Sequence, residues 1–196
     1  MQIFEAVKEL IEENREIINE PDIQSLYNLA DIILDSEERG QLSYILQESG
    51  IDILPLLGYA HAYLFYSSPI RTFTFPKNFE TIPTGMFFDC TSLVDVIFPE
   101  DLVTIRDAAF YNCAKLRKIS LPKTLSYIMD GAFIGCFNLS HIDMYPVKSI
   151  GKDCLTVNNL TIKFHGTLED WNNIYKADAW NSGKITVEAS DGKVEI

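Results

Sequence analysis

The sequence predicts an α+β chain: an N-terminal helical unit, a short solenoid on a 23-residue period, and a closing helix and hairpin. Three observations predict it. Cysteines stand at 90, 113 and 136 and prolines at 76, 99 and 122, each set spaced by 23 residues. Charge is divided unevenly, with thirteen Asp/Glu against three Lys/Arg in residues 1–68 and fifteen against thirteen in residues 69–196. Apolar spacing is that of amphipathic helices before Ser67 and of strands after Pro69. The divisions are therefore a helical unit over 1–68, repeats over 69–165 and a cap over 166–196.

In the first unit, Ile3, Val7, Leu10, Ile11 and Ile17/Ile18 form one apolar stripe between carboxylates, and Pro21 interrupts it. A second helix follows Asp22, a candidate N-cap, through Ile23, Leu26, Tyr27, Ala30, Ile33 and Leu34. A third, carrying Leu42, Tyr44, Ile45 and Leu46, ends at Gly50, which tolerates the left-handed turn. The fourth, Ile53 to Tyr66, is apolar almost all round and reads as the buried helix of the group. His61 within it has no cysteine or second histidine at metal-ligand spacing and reads as a core histidine.

The net charge of −12 argues against direct binding to nucleic acid phosphates. Solvated helix faces account for the acidic excess; the alternative is that the acidic unit is itself a partner site, by mimicry of nucleic acid or by meeting a basic protein. No apolar run reaches the roughly 18 residues of a membrane-spanning helix. The acidic start is unlike a secretory leader, so the expectation is a cytoplasmic chain, or a secreted or surface-displayed one if a leader has been removed.

The repeat columns are regular. Leu93, Leu116 and Leu139 share one; Phe73, Val96, Ile119 and Ile142 the next; Phe75, Phe98, Leu121 and Met144 a third. Further along each unit come Leu102 and Leu125, Ile82, Ile105 and Ile128, and then Phe87, Phe110 and Phe133. Within L-x-x-I-x-L the last two apolar residues are two apart, as on one face of a strand. A single unit cannot bury its apolar side, but stacked units lay column on column into one core. A fourth unit continues through Val147, Ile150, Leu160, Ile162 and Phe164 with two single-residue deletions, and Asn158 takes its cysteine slot.

The units "IRDAAFYNCAKLRKISLP" and "IMDGAFIGCFNLSHIDMY" resemble the BspA-like leucine-rich repeat, I-G-x-x-A-F-x-x-C-x-x-L-x-x-I-x-L-P, and "FHGTLEDWNNI" resembles the segment that often ends such arrays. The resemblance covers about residues 70–196. It implies a curved solenoid of four or five repeats with a parallel sheet on the concave face. It also implies a family associated with protein binding and often with bacterial surfaces.

Cysteines that recur once per turn, with no C-x-x-C pair, read as buried thiols rather than zinc ligands or disulfides. The helices through Tyr66 are expected to close one end of the stack and Thr167 to Tyr175 the other, with Thr167 and Asp170 as a capping box and Trp171 and Trp180 lying on the last repeat. Asp191-Gly192 is the expected hairpin turn between 185–188 and 194–196.

No catalytic, nucleotide-binding or cofactor fingerprint is present, and no metal set. His165, at a strand end beside Gly166, reads as a turn residue. Register instead gives two outward rows: Thr72, Asp95, Lys118, His141 and Thr161, and Thr74, Ile97, Ser120, Asp143 and Lys163. Asp95 with Lys118, and Asp143 with Lys163, are placed to pair across strands. His141 shares a face with Asp143, but neither Ser120 nor a cysteine is placed as a nucleophile. The predicted function is a non-enzymatic protein-interaction module with these ten residues as the candidate face for a protein or peptide, without nucleic acid or membrane.

Overall fold

The structure, a computed structural model, describes residue 9 and residues 36–48, 62–157 and 159–196. The helices expected over 3–18 and 23–34, most of the acidic unit as a partner site, the start of the fourth helix with His61, and Asn158 lie outside the described residues.

One helix of the first unit, α1 (Ser36–Glu48), contains the expected third helix. From it Leu42 and Leu46 are fully buried in the same core as Leu64 and Phe65. Ser43 Oγ donates to the Leu64 carbonyl at 2.6 Å and Gln41 Nε2 to the Ser67 carbonyl at 3.2 Å, so α1 is tied to the first turn of the stack. A Cβ on Gly40 would fall on the Tyr66 carbonyl, and this close approach of backbones is what the glycine permits.

Each repeat gives one strand to an outward-facing sheet and a two-residue strand to a second. The outward strands are β1 (Thr72–Thr74), β3 (Asp95–Ile97), β5 (Lys118–Ser120), β7 (His141–Met144), β10 (Leu160–Phe164) and β13 (Ile185–Ala189). The second set is β2 (Thr81–Ile82), β4 (Thr104–Ile105), β6 (Tyr127–Ile128), β8 (Ser149–Ile150) and β11 (Tyr175–Lys176). Short strands β9 (Leu155–Thr156) and β12 (Asn181–Ser182) pair with each other. All these pairings are parallel; the antiparallel one is β13 with β14 (Gly192–Glu195). Exposed, buried, exposed is the pattern of β1, β3 and β5, because alternate residues face opposite sides and the middle one is the aliphatic or aromatic of its column.

The return path explains the rest of the period. Residues with left-handed backbone recur at Tyr63, Gly85, Ala108, Gly131 and Asp153, and again at Ser67, Asp89, Asn112 and Gly135. These turns stack through Phe65 N–H to Met86 O at 2.8 Å, Phe87 to Ala109 at 2.8 Å and Phe110 to Ala132 at 2.9 Å. Inside them Phe65, Phe87, Phe110 and Phe133 form a column with ring centroids 5.2–5.3 Å apart. The cysteines have a structural task here. Cys90, Cys113 and Cys136 donate Sγ–H to the carbonyls of Phe65, Phe87 and Phe110, one unit back, at 2.8, 3.2 and 3.2 Å. All four cysteines are free and buried, and burial pushes the Cys90 thiol up to about 12.

Two elements differ from the sequence expectation. Residues 62–67 are turns, not the end of a fourth helix, and Phe65 is the first member of the phenylalanine column. The spacing from Phe65 to Phe87 is 22 residues rather than 23, with the buried Ser68 in the cysteine slot, so the unit does not stand out at the common period. After α2 (Leu168–Asn173) the chain makes a further turn of the stack: β11 joins β8, β12 joins β9, and β13 joins β10. The expected hairpin exists, but its first strand is also the sixth outward strand, and its two loop residues are Ser190 and Asp191. Gly192 begins β14, where a Cβ would press on Leu168 Cδ1 at 3.3 Å.

The capping box is formed as expected: Thr167 Oγ1 accepts from Asp170 N–H at 3.1 Å, and the Asp170 carboxylate accepts from Thr167 N–H at 2.8 Å. Trp171 is buried, edge-on to Phe164 at 5.3 Å and to Trp180 at 5.8 Å.

Candidate functional site

Register places the ten predicted residues on one face. Thr72 neighbours Asp95 and Thr74 neighbours Ile97; Lys118, His141 and Thr161 run side by side, as do Ser120, Asp143 and Lys163. Eight are exposed and two, Asp143 and Thr161, are half-buried. Ile97 is 57% exposed, an apolar side chain held outward on a strand because its neighbour Val96 takes the core position.

The face has a seam. β3 and β5 are adjacent but share no ladder, and the expected ion pair between Asp95 and Lys118 does not form among the described residues. Asp143 and Lys163 do pair, at 3.2 Å, where the strands are laddered.

Asp143 also corrects the reading of the histidines. Its partner is His165, whose Nε2 lies 2.5 Å from Oδ1, while His141 Nδ1 meets Ser140 Oγ at 2.9 Å. His165 is thus a member of the face and not a bare turn residue; its backbone N–H holds to Met144 O at 2.8 Å and its ring stacks on Tyr145 at 4.5 Å. A signal for both was present. Tyr145 and His165 occupy the column held by Pro76, Pro99 and Pro122 in earlier units, so the fourth and fifth outward strands are followed by aromatic rings where the first three are followed by proline. The sequence marks β13 only as a hairpin strand, which hides Thr186 and Glu188; they extend the two rows beyond Thr161 and Lys163.

Electrostatically, partial burial pushes the Asp143 carboxyl up, but hydrogen bonds from His165 and Lys163 and their charge outweigh it and hold it below the ordinary carboxylate range. A depressed carboxylate contributes stability that is fully present above its unfolded value of about 3.9 and is lost as pH falls through the folded value. The face therefore keeps this charge at neutral pH. In His165→Ala the Asp143 midpoint, followed by carboxyl NMR, moves up; an unchanged midpoint would show that Lys163 alone sets it.

Three shallow depressions join along these rows. One of about 480 Å³ is lined by Phe98, Ser120, Asp143, Tyr145, Lys163 and His165 among others. A second, about 210 Å³, lies over Lys118, His141 and Thr161, and a third, about 570 Å³, runs from Lys163 to Glu188 and Ser190. Among the described residues no cluster of His, Cys, Asp and Glu is arranged to hold a metal ion, and no helix is long and apolar enough to cross a membrane.

A solenoid with a short parallel strand and a turn-rich return in every unit, presenting the strand face outward, is a leucine-rich-repeat protein. The family described as BspA type leucine rich repeat region matches residues 59–176 in six copies, and the chain belongs to that family. That match starts earlier than the expected Pro69 because the turn containing Phe65 is already a repeat. Among solved structures, a leucine rich cell surface protein from Faecalibacterium prausnitzii A2-165 aligns at 22% identity with a TM-score of 0.38, over 48% of this chain and 35% of that one. The chain matches no curated protein.

Proposed function

We propose that the chain is a protein-interaction scaffold that receives a protein or an extended peptide across the outward sheet face, without catalysing a reaction on it. One observation carries the proposal: six outward strands, in two sheets that meet at the seam, hold two rows of mixed charge, with the outward Ile97 in one row and the stacked pair Tyr145 and His165 alongside them at an open depression. Interfaces concentrate their energy in a few aromatic or apolar anchors ringed by polar groups, and this face supplies both. Family membership supports the scaffold reading in general terms. The non-enzymatic reading is favoured because, among the described residues, no imidazole joins a hydroxyl or thiol to a carboxylate: His165 meets Asp143 and a tyrosine ring, while His141 meets the Ser140 hydroxyl with no carboxylate hydrogen-bonded to it.

The test is selection of peptides from a displayed library on the immobilised chain. Tyr145→Ala, and Lys118→Glu combined with His141→Glu, weaken the selected peptides about tenfold or more. Phe137→Ala, at an exposed site off the two rows, leaves them unchanged. The opposite ranking would overturn this face as the site.

A further inference from the structure

The outer sheet ends on β14, and nothing among the described residues pairs with its far edge. Every residue from Gly192 to Ile196 is exposed, including the apolar Val194 at 36% and Ile196 at 44%. Ile185 and Ile196 exchange both backbone hydrogen bonds, N to O at 3.0 and 2.8 Å. In an antiparallel ladder such pairs alternate, so Ile196, Val194 and Gly192 turn their N–H and C=O toward β13. Lys193 and Glu195 therefore turn theirs outward, ready to pair with a further strand.

We propose that β14 is a self-complementary edge joining two copies of this chain through an antiparallel pairing centred on Val194. With Val194 on the twofold axis, Lys193 faces Glu195 of the second copy, and Glu195, which also meets Lys184 of its own chain at 3.0 Å, faces the second copy's Lys193. Both are hydrogen-bonded positions, so four backbone bonds form, and the two opposed charge pairs lie on the same side of the sheet. Charged side chains on a free edge ordinarily deter pairing. This order of charges deters most strands and matches its own copy. Within each copy the alternation already runs Asp143, Lys163, Glu188, Lys193 across successive strands, and Glu195 of the second copy continues it.

The other side of the strand fits as well. Val194 shares its side with the buried Val187, and two copies bring Val194 against Val194. Ile196 falls opposite Gly192 of the second copy, the residue with no side chain, beside which Leu168 already lies. An isologous contact of this kind closes after two copies and gives one sheet running through the pair. Four bonds and a small apolar patch make a weak dimer, with a Kd of roughly 1–100 μM.

Sedimentation of the full chain over a concentration series tests this directly. Wild type shows a monomer–dimer equilibrium, and Lys193→Glu or Glu195→Lys alone weakens it about tenfold or more by opposing like charges twice. Mixing the two single variants restores the dimer, because each then meets its complement, and the double exchange restores it in one chain. As a second readout, Val194→Cys gives a disulfide-linked dimer under mild oxidant, since opposed non-hydrogen-bonded residues lie about 4.5 Å apart at Cα. The native thiols, being buried, leave that signal clean. A wild type that stays monomeric up to about 1 mM overturns the proposal. So does a dimer indifferent to both reversals, or a mixture that stays monomeric.

Discussion

Phe87→Ala is expected to lower the unfolding free energy by about 3–5 kcal/mol and the Tm by roughly 6–20 °C. Phe87 is fully buried and stands in the phenylalanine column between Phe65 and Phe110, with centroids at 5.3 and 5.2 Å. It also meets Phe73 edge-on at 5.1 Å and Phe75 at 6.0 Å, so one ring joins the return path to the first outward strand. Removing it leaves a cavity bounded by ladders on both sides, and hydrogen bonds from Phe65 and Phe87 to the next unit resist its collapse. Phe133 gives the comparison: its one ring neighbour among the described residues is Phe110, and Phe133→Ala is expected to lose less. In a stack, stability is roughly a sum over units and their interfaces, and Phe87 is shared by more of them. Chemical denaturation of both variants measures the difference. Equal losses would show that shared stacking does not set the cost, and a loss under about 1 kcal/mol at Phe87 would remove the column as a principal source of stability.

The period made most of this fold legible. Cys90, Cys113 and Cys136 marked the turns, and Ile119 and Ile142 marked the inward strand residues, because burial against a neighbouring copy restricts the residue type at every recurrence. It failed where the count changes. Phe65 is one residue out of step, and an apolar stretch around it looks like a buried helix when periodicity alone is consulted. Beyond Phe164 the insertion of α2 hides the last unit, and with it Thr186 and Glu188. The ten face residues followed from register, since a strand's two sides are fixed once its inward residue is known. Their partners followed only in part: the Asp143–Lys163 pair is the one register places together. His165 reaches Asp143 across a spacing of 22 residues, from the position just after the end of β10 and outside the 23-residue register. The seam between β3 and β5 separates Asp95 from Lys118, although the sequence spacing there is a regular 23.

Trp171→Ala is expected to cost about 3–5 kcal/mol and to detach the closing helix before the rest unfolds. α2 has six residues, too few to persist alone, so what holds it is its capping box and its packing. Trp171 is its buried residue. The indole closes over Phe164 at the end of β10, meets Trp180 from the last turn, and lies 4.6 Å beneath Lys176 Nζ. Lys176 donates to the Trp171 carbonyl at 2.5 Å and to that of Ile174 at 3.1 Å, neutralising the carbonyl end of the helix. Its own pKa is lowered by burial, since this ammonium is partly withdrawn from water. Loss of the ring uncovers Phe164, whose neighbours Lys163 and His165 belong to the outward face, so a loosened end also disorders the Asp143 pair. Hydrogen exchange should therefore rise over 166–176 and at His165 while 85–135 stay protected. If exchange rose uniformly along the stack, the helix would be part of one cooperative unit; if it rose nowhere, the indole would not be what seals this end.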